Sequence, residues 1–358
     1  MLGQGSWPGY STRTLKKGTA KILTCCIAGT EQGTFEDLAD HWQHLIDGCS
    51  EPTFFDSPTW QKAWWSEYGA NSELKLLAVR SDSGDIKMIA PLMVNGSVIS
   101  FLGGTDLVDY HDFLSADRSG SGSLEAIVRA VDEMPGVESI KLQSIPGNSA
   151  TITRFREFAE KFGWNVEIKQ EDVAPRLELP TSWDAYLGGL RKKDRHELRR
   201  KLRRLEAAGE IRQIELSRPG DIEVAMDDFM VLYRMSTTGK AEFMTPDRER
   251  FFRTVAVAMA DECTTRLVFL EINDEKVAAS LTFVCRNVRY LYNSGYNPAR
   301  SSLSVGLLNH ALTIKRSIEE GLRVFDFMRG NEAYKYHLGG VDRAVFALTA
   351  TRQTGAQT

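Results

Sequence analysis

The chain has 358 residues and no run of eighteen apolar ones, so nothing in it reads as a membrane-spanning helix. Its first 19 residues carry basic side chains without the apolar stretch of a secretory signal, and they read as a loose tail, as do residues 353–358. Cysteine is sparse: Cys25, Cys26, Cys49, Cys263 and Cys285 form no CxxC, and their odd, scattered set fits neither a disulfide framework nor a zinc site. Reduced thiols in a cytoplasmic protein are the expectation. His41 and His44 stand three apart on a helical stretch without a carboxylate or cysteine partner, so no metal is expected either. An excess of one charge is also missing. Lys and Arg number 44 against 48 Asp and Glu, a net charge of −4, which excludes a general attraction to nucleic acid or to an acidic membrane and makes any anion site local.

What is present is ordinary globular material, 42% hydrophobic and 26% charged, long enough for two cores of roughly 150 to 180 residues each. After the tail, 21–28 reads as a strand. Two helices follow, FEDLADHWQHLIDGC and SPTWQKAWWSEYGA, the second opened by Ser57 with Pro58 at the first helical position. Three strands come next, LKLLAVRSD, IKMIAPLMV and SVISFLGG, divided by the turn signals SDSGD and NG. A polar loop precedes helix, strand, helix and strand up to residue 170. From Arg176 the order repeats: helical segments, three strands divided by NDE and RN, helix 303–320, strand RVFDFM, a helix near 331–337 and a last strand RAVFALTA. The expected fold class is α/β with mixed sheets: two tandem domains, 20–175 and 176–352, each a mixed sheet flanked by helices. Seven tryptophans, three of them between Trp60 and Trp65, are expected to fill the core between them.

This element order, with YLYNSGYNP leading to FDFMRGNEAYK in the second half, resembles the GNAT acyltransferase fold in tandem, as in the FemABX peptidyltransferases and CelD-type acetyltransferase domain proteins. Weaker echoes in the first half are FFDSPTWQKAWW, Pro91-Leu92 and FLGGTDLVDYHDFL. The resemblance spans about residues 20 to 350. It implies that the fourth and fifth strands of the second half run side by side and then splay, freeing backbone amides for the arm of an acyl donor. It also implies that the next helix points its N-terminus at the donor's phosphates. Asn293, Arg300, Ser302, Ser304 and Gly306 are the donor-binding positions on this expectation. The usual Gln/Arg-x-x-G-x-G/A signature is degenerate, because only Arg300 and Gly306 remain and their spacing is too long. Acyl-CoA, acetyl-CoA first, is the expected co-substrate, and the departure leaves room for an aminoacyl-tRNA.

The first copy lacks even that remnant, so it is expected to form a wall of the acceptor site, with Asp109, Tyr110, His111 and Asp112 recognising hydroxyls or an amine. The run RKKDRHELRRKLRR, 191–204, holds nine Lys or Arg against two acids, a local +7 that leaves −11 for the rest of the chain. Leu190, Leu198, Leu202 and Leu205 give it one apolar stripe, as for a helix lying on its domain. FemABX-type enzymes carry a similar segment that helps hold a phosphorylated acceptor. By that resemblance Lys193, Arg195 and Arg199 are assigned to acceptor phosphate, with 195 and 199 on one helical face.

Acyl transfer to an amine needs a base, a stabilised oxyanion and a proton for the leaving group. Asp326 or Glu332 is the expected base, Lys335 the expected cation, and Tyr334 or Tyr336 the expected acid, all gathering beyond the strand VFDFM. No Ser-His-Asp order or nucleophile elbow occurs, so direct transfer is favoured over an acyl-enzyme. The leading expectation is an N-acyltransferase acting on an amino sugar, an amino acid or a cell-envelope precursor. Aminoacyl transfer from tRNA to a peptidoglycan-type precursor is the first alternative, and a non-catalytic binding module of the same fold is the second. DNA binding and membrane insertion are not expected.

Overall fold

The computed structural model describes residues 30–49, 51–115, 121–262 and 264–352. The tails, the strand expected at 21–28, Cys25, Cys26 and Cys263 lie outside the described residues. In chain order the elements are β1 Thr30–Gly33, α1 Phe35–Gly48, α2 Pro58–Tyr68, β2 Glu73–Arg80, β3 Ile86–Asn95, β4 Val98–Phe101, β5 Leu114–Ser115, α3 Ser121–Asp132, β6 Ser139–Pro146, α4 Ala150–Lys161 and β7 Trp164–Val173. The second half continues with β8 Arg176–Glu178, α5 Trp183–Gly189, α6 Lys192–Glu206, β9 Ile211–Leu216, α7 Pro219–Ser236, α8 Thr238–Phe243, α9 Pro246–Asp261, β10 Thr265–Ile272, β11 Glu275–Cys285, β12 Val288–Tyr296, α10 Val305–Glu319, β13 Val324–Asp326, α11 Ala333–His337 and β14 Ala344–Arg352.

Local chemistry sets these boundaries. Thr34 opens α1 with a reciprocal cap, its hydroxyl accepting from the Asp37 N–H at 3.1 Å while the Asp37 carboxylate accepts from the Thr34 N–H at 3.1 Å. Ser57 caps α2 by accepting from the Thr59 N–H, with Pro58 at the first helical position. Asn273 and Asp274 adopt positive φ (50° and 64°) between β10 and β11, a hairpin conformation that asparagine and aspartate tolerate.

The chain forms two mixed sheets flanked by helices. One runs β1-β2-β3-β4-β6-β14-β7, with β5 on β3, and the other runs β8-β13-β12-β11-β10-β9. The last strand, RAVFALTA, is expected in the sheet of its own half. Instead β14 is antiparallel to both β6 (Val345↔Pro146) and β7 (Ala344↔Val173), so the chain's last strand closes the first sheet. β8, just past β7, enters the second sheet beside β13. The halves therefore interlock. Between the sheets lies an aromatic core. The Trp60 ring stands edge-on to Phe251 and Phe283 at centroid distances of 5.4 and 5.6 Å, and Phe54 stacks on Phe283 at 4.3 Å. Each such buried ring removes about 150–250 Å² from water, which at about 25 cal/mol per Å² makes this seam a principal tie between the sheets. Trp42 and Trp64 join it, whereas Trp164 fills the core under α3 and α4.

Candidate active site

The site is set by where strand pairing stops. β12 and β13 run parallel through only three pairs, Val288↔Val324, Arg289↔Phe325 and Tyr290↔Asp326. Beyond them β12 continues to Tyr296, with a bulge where Leu281 faces Asn293 and Thr282 faces Leu291, leaving Tyr292 as the extra residue. The other chain turns away: the Phe327 N–H donates to the Pro175 carbonyl, and Met328 takes a left-handed φ of 62°. The two strands diverge, as the resemblance implied. α7 braces the open part of β12 so closely that a Cβ on Gly295 would stand 2.4 Å from the Tyr233 nitrogen and 2.5 Å from the Leu232 carbonyl oxygen.

Asp326 stands at the fork, the last paired residue of β13. Its carboxylate accepts from the Tyr110 hydroxyl at 3.0 and 3.1 Å and from the Met328 N–H at 2.8 Å. Burial, only partly offset by those donors and by Arg176, pushes its pKa up to about 6. Together with Val288, Tyr290 and Val324 it faces a cleft of about 1020 Å³ between the two sheets. Two more carboxyl groups, half-buried, line this cleft. Asp56, held by the Thr53 N–H and hydroxyl, is pushed to about 6 by desolvation, and Asp112, bonded to the Thr151 hydroxyl at 2.7 Å, is shifted upward for the same reason. Arg176, Arg286, Arg323 and Arg343 supply the cations. Arg286 donates to the carbonyls of Ile46, Asp47 and Cys49 at the end of α1, while Arg176 and Arg343 both approach Glu51, at 3.8 and 3.6 Å. The cleft is thus acidic at its floor and guanidinium-rich around it.

Four expectations need correction. Lys335 is 2% exposed and its ammonium donates to the carbonyls of Met328, Arg329 and Gly330 at 2.9, 2.7 and 3.0 Å and pairs with Glu332 at 2.9 Å. Having only three N–H bonds to give, it clamps the turn after β13 and has none left for a substrate. Glu332 is exposed, pairs with Lys335 and does not line the cleft that Asp326 faces. Tyr336 donates to Asp342 at 2.7 Å, while Tyr334 packs on the opposite side, its ring 5.3 Å from His310 and 6.4 Å from Phe327. Asp109 accepts from the Arg329 N–H at 3.0 Å, and Arg329 also reaches Ser144, Glu171 and the Thr105 carbonyl. Asp109 and Arg329 thus pin the two halves together. Of the first-half residues, Tyr110, His111 and Asp112 line the cleft; His111 is held neutral, burial pushing its pKa down to about 4.

The basic helix also moves. Lys193, Arg195 and Arg199 are absent from the cleft; α6 packs against α10 and the turn before it, and Lys201 donates to the Ser304 hydroxyl at 2.6 Å. Lys201 therefore stands at the N-terminus of α10, on the side expected for the donor. Ser304 adopts φ 58° as the residue opening that helix, and Ser302 is exposed in the preceding turn. Arg300 is drawn to Glu275, and a Cβ on Gly306 would approach the Tyr296 ring at 3.2 Å. Asn293 is half-buried on the bulge of β12.

Sequence reasoning missed Arg176, Arg323 and Arg343, since isolated arginines at strand starts and loop ends carry no pattern. It also missed His310, buried in α10, whose pKa is pushed down to about 3 by burial and the nearby Lys240 and Lys335 charges. Among the described residues no cluster of His, Cys, Asp or Glu is arranged for a metal, and no helix is long and apolar enough to cross a membrane.

Residues 192–336 match the acetyltransferase (GNAT) domain family. No curated protein matches the chain in sequence. Among solved structures it is similar to FemX, at a TM-score of 0.63 and 11% identity over 89% of this chain and 96% of that one. It is also similar to the C-terminal domain of a putative lysylphosphatidylglycerol synthetase from Agrobacterium fabrum (TM-score 0.55, 10% identity, 87% and 91% covered). L-PGS from Bacillus licheniformis matches at TM-score 0.51 and 12% identity, with 85% and 94% covered. The chain therefore has a GNAT/FemABX-like fold.

Proposed function

We propose, for a chain that carries a GNAT domain on a FemX-like fold, an N-acyltransferase that passes an acyl group directly from acyl-CoA, acetyl-CoA first, to an amine. The observation that carries this reading is the end of β12–β13 pairing at Asp326. It opens backbone for a donor arm on one side and sets a raised carboxyl in a large cleft on the other. A pKa near 6 leaves Asp326 mainly ionised at neutral pH yet basic enough to take a proton from an ammonium, directly or through water. The cleft supports an acceptor that carries both an amine, toward Asp326 and Asp112, and an anionic group, toward Arg323 and Arg343. Amino-sugar phosphates, amino acids and phosphorylated cell-envelope precursors have that polarity. Direct transfer is supported by the described thiols, both pushed upward by burial, Cys285 to about 11, which makes a thiolate nucleophile costly near neutral pH.

A second reading, aminoacyl transfer from a charged tRNA, draws on α6. There Lys192, Lys193, Arg199, Arg203 and Arg204 are exposed on a helix that packs against α10, a surface suited to a phosphate backbone. Calorimetry separates the two. Acetyl-CoA binding at micromolar to millimolar concentration, followed by acetyl transfer to one of a panel of amino-sugar phosphates and amino acids, supports the first. No heat with acetyl-CoA, together with salt-sensitive binding of charged tRNA, would replace it with the second.

A further inference from the structure

The splay holds a second lysine that the reading above leaves without a role. Lys240 extends from α8, a six-residue helix with no buried residue, and its ammonium donates to the carbonyl of Ser294, on β12 past the last pair with β13. It stands 5.1 Å from the Tyr233 ring centre on α7. From the loop before α11, Glu332 acts on it as the charge raising its pKa, and from α10 it acts in turn on His310. His310 is neutral and buried, with Nδ1 3.3 Å from the Ser280 hydroxyl, and the Tyr334 ring closes that side. Unlike Lys335, whose bonds all go to carbonyls and Glu332, Lys240 has a single hydrogen-bond acceptor among the described residues, so two of its three N–H bonds are available from a half-buried side chain beside the unpaired part of β12. A half-buried cation there is partly withdrawn from water, which strengthens its effect on a developing negative charge.

We propose that Lys240 is the catalytic cation of the transfer: it holds the oxygen of the donor's carbonyl as that oxygen becomes an oxyanion. This rests on the acyl-CoA reading above. The acceptor nitrogen attacks the thioester carbon, a C–N bond forms, and the carbonyl π pair moves onto the oxygen that Lys240 holds. The nitrogen's proton passes to water and through it to Asp326, which is paired with Tyr290, four residues along β12 from Ser294. The oxyanion then collapses, the C–S bond breaks, and the thiolate leaves with its electron pair and is protonated from solvent. Burial lowers the Lys240 pKa to about 8, opposed by Glu332, so the cation is present below that pH and lost above it.

The probe is acetyl-CoA with water as acceptor, followed by release of the CoA thiol across pH 6 to 10 in the wild type, Lys240→Met and Lys240→Arg. Acetyl-CoA affinity is measured by calorimetry for each. The expected result is a kcat lower by about 10²–10³-fold in Lys240→Met, with affinity within threefold, and a fall in wild-type kcat above pH 8 that is absent in Lys240→Arg. Wild-type turnover in Lys240→Met, a high-pH limb unmoved in Lys240→Arg, or donor affinity lost in Lys240→Met would each overturn the role. A folded wild type that neither binds nor cleaves acetyl-CoA would instead overturn the acyl-CoA reading, and the role with it.

Discussion

Replacing Asp326 with asparagine tests the carboxyl at the fork by two independent readouts. Its folded pKa of about 6, against an ordinary 3.8, is a rise of about two units, or about 3 kcal/mol at about 1.36 kcal/mol per unit. Because the value is raised, the folded state binds this proton more tightly than the unfolded chain does. The stabilisation is complete below pH 3.8 and is lost as pH climbs to 6. Asparagine has no proton to lose, and its carbonyl can still accept from Tyr110 and Met328. Urea unfolding of both proteins from pH 3.5 to 8 is therefore expected to show Asp326→Asn gaining about 3 kcal/mol relative to wild type between pH 4 and 7. Asp56 and Asp112, also raised by burial, titrate in both proteins and cancel, while Asp109, whose charge helps raise Asp326, loses a like-charged neighbour in the variant. In the same variant the rising limb of kcat/KM near pH 6 is expected to vanish, with a loss of about 10²–10⁴-fold. A stability gap that does not change with pH would refute the claim that Asp326 is a desolvated carboxylate, and an intact limb would refute its role as base.

Three further outcomes follow from the packing. Lys335→Met strips three carbonyls and Glu332 of their shared donor and is expected to cost about 2–4 kcal/mol in urea unfolding; an unchanged midpoint would contradict the clamp. Gly295→Ala sets a methyl group against the backbone of α7 and should destabilise by about 3 kcal/mol or leave the protein insoluble, which a thermal melt reads directly. Arg323→Ala, at the edge of the cleft, is expected to raise KM at least tenfold for a phosphorylated acceptor and little for its unphosphorylated counterpart. Equal effects on the two would remove arginine from phosphate recognition.

Much of the fold was legible because its signals are local. Ser57-Pro58 and Asn95-Gly96 mark their elements by side-chain and backbone chemistry that tertiary packing does not override. Within the apolar run VFDFM, a single aspartate already marked a buried, unusual carboxyl. The exchange of β14 into the first sheet was not legible, because an alternating strand such as AVFALTATR satisfies any partner with a free edge, and chain proximity points to the nearer one. The roles within RGNEAYKYHLGG failed for a related reason. Residue type shows that charges and rings are close together in sequence, but a five-residue helix sends Lys335, Tyr334 and Tyr336 to three different places. Lys240 carries no pattern at all; only the end of β13 at Asp326 makes a lysine beside Ser294 notable.

On the proposed function, the divergence of β12 and β13 receives the arm of a thioester. A crystal structure with a non-hydrolysable acetyl-CoA analogue tests it most directly. The arm is expected along Asn293–Tyr296, its carbonyl at Lys240 beside Ser294 and its diphosphate at the start of α10 near Ser302 and Ser304. An analogue bound elsewhere, or β12 and β13 unoccupied between their diverging ends at saturating analogue, would contradict it.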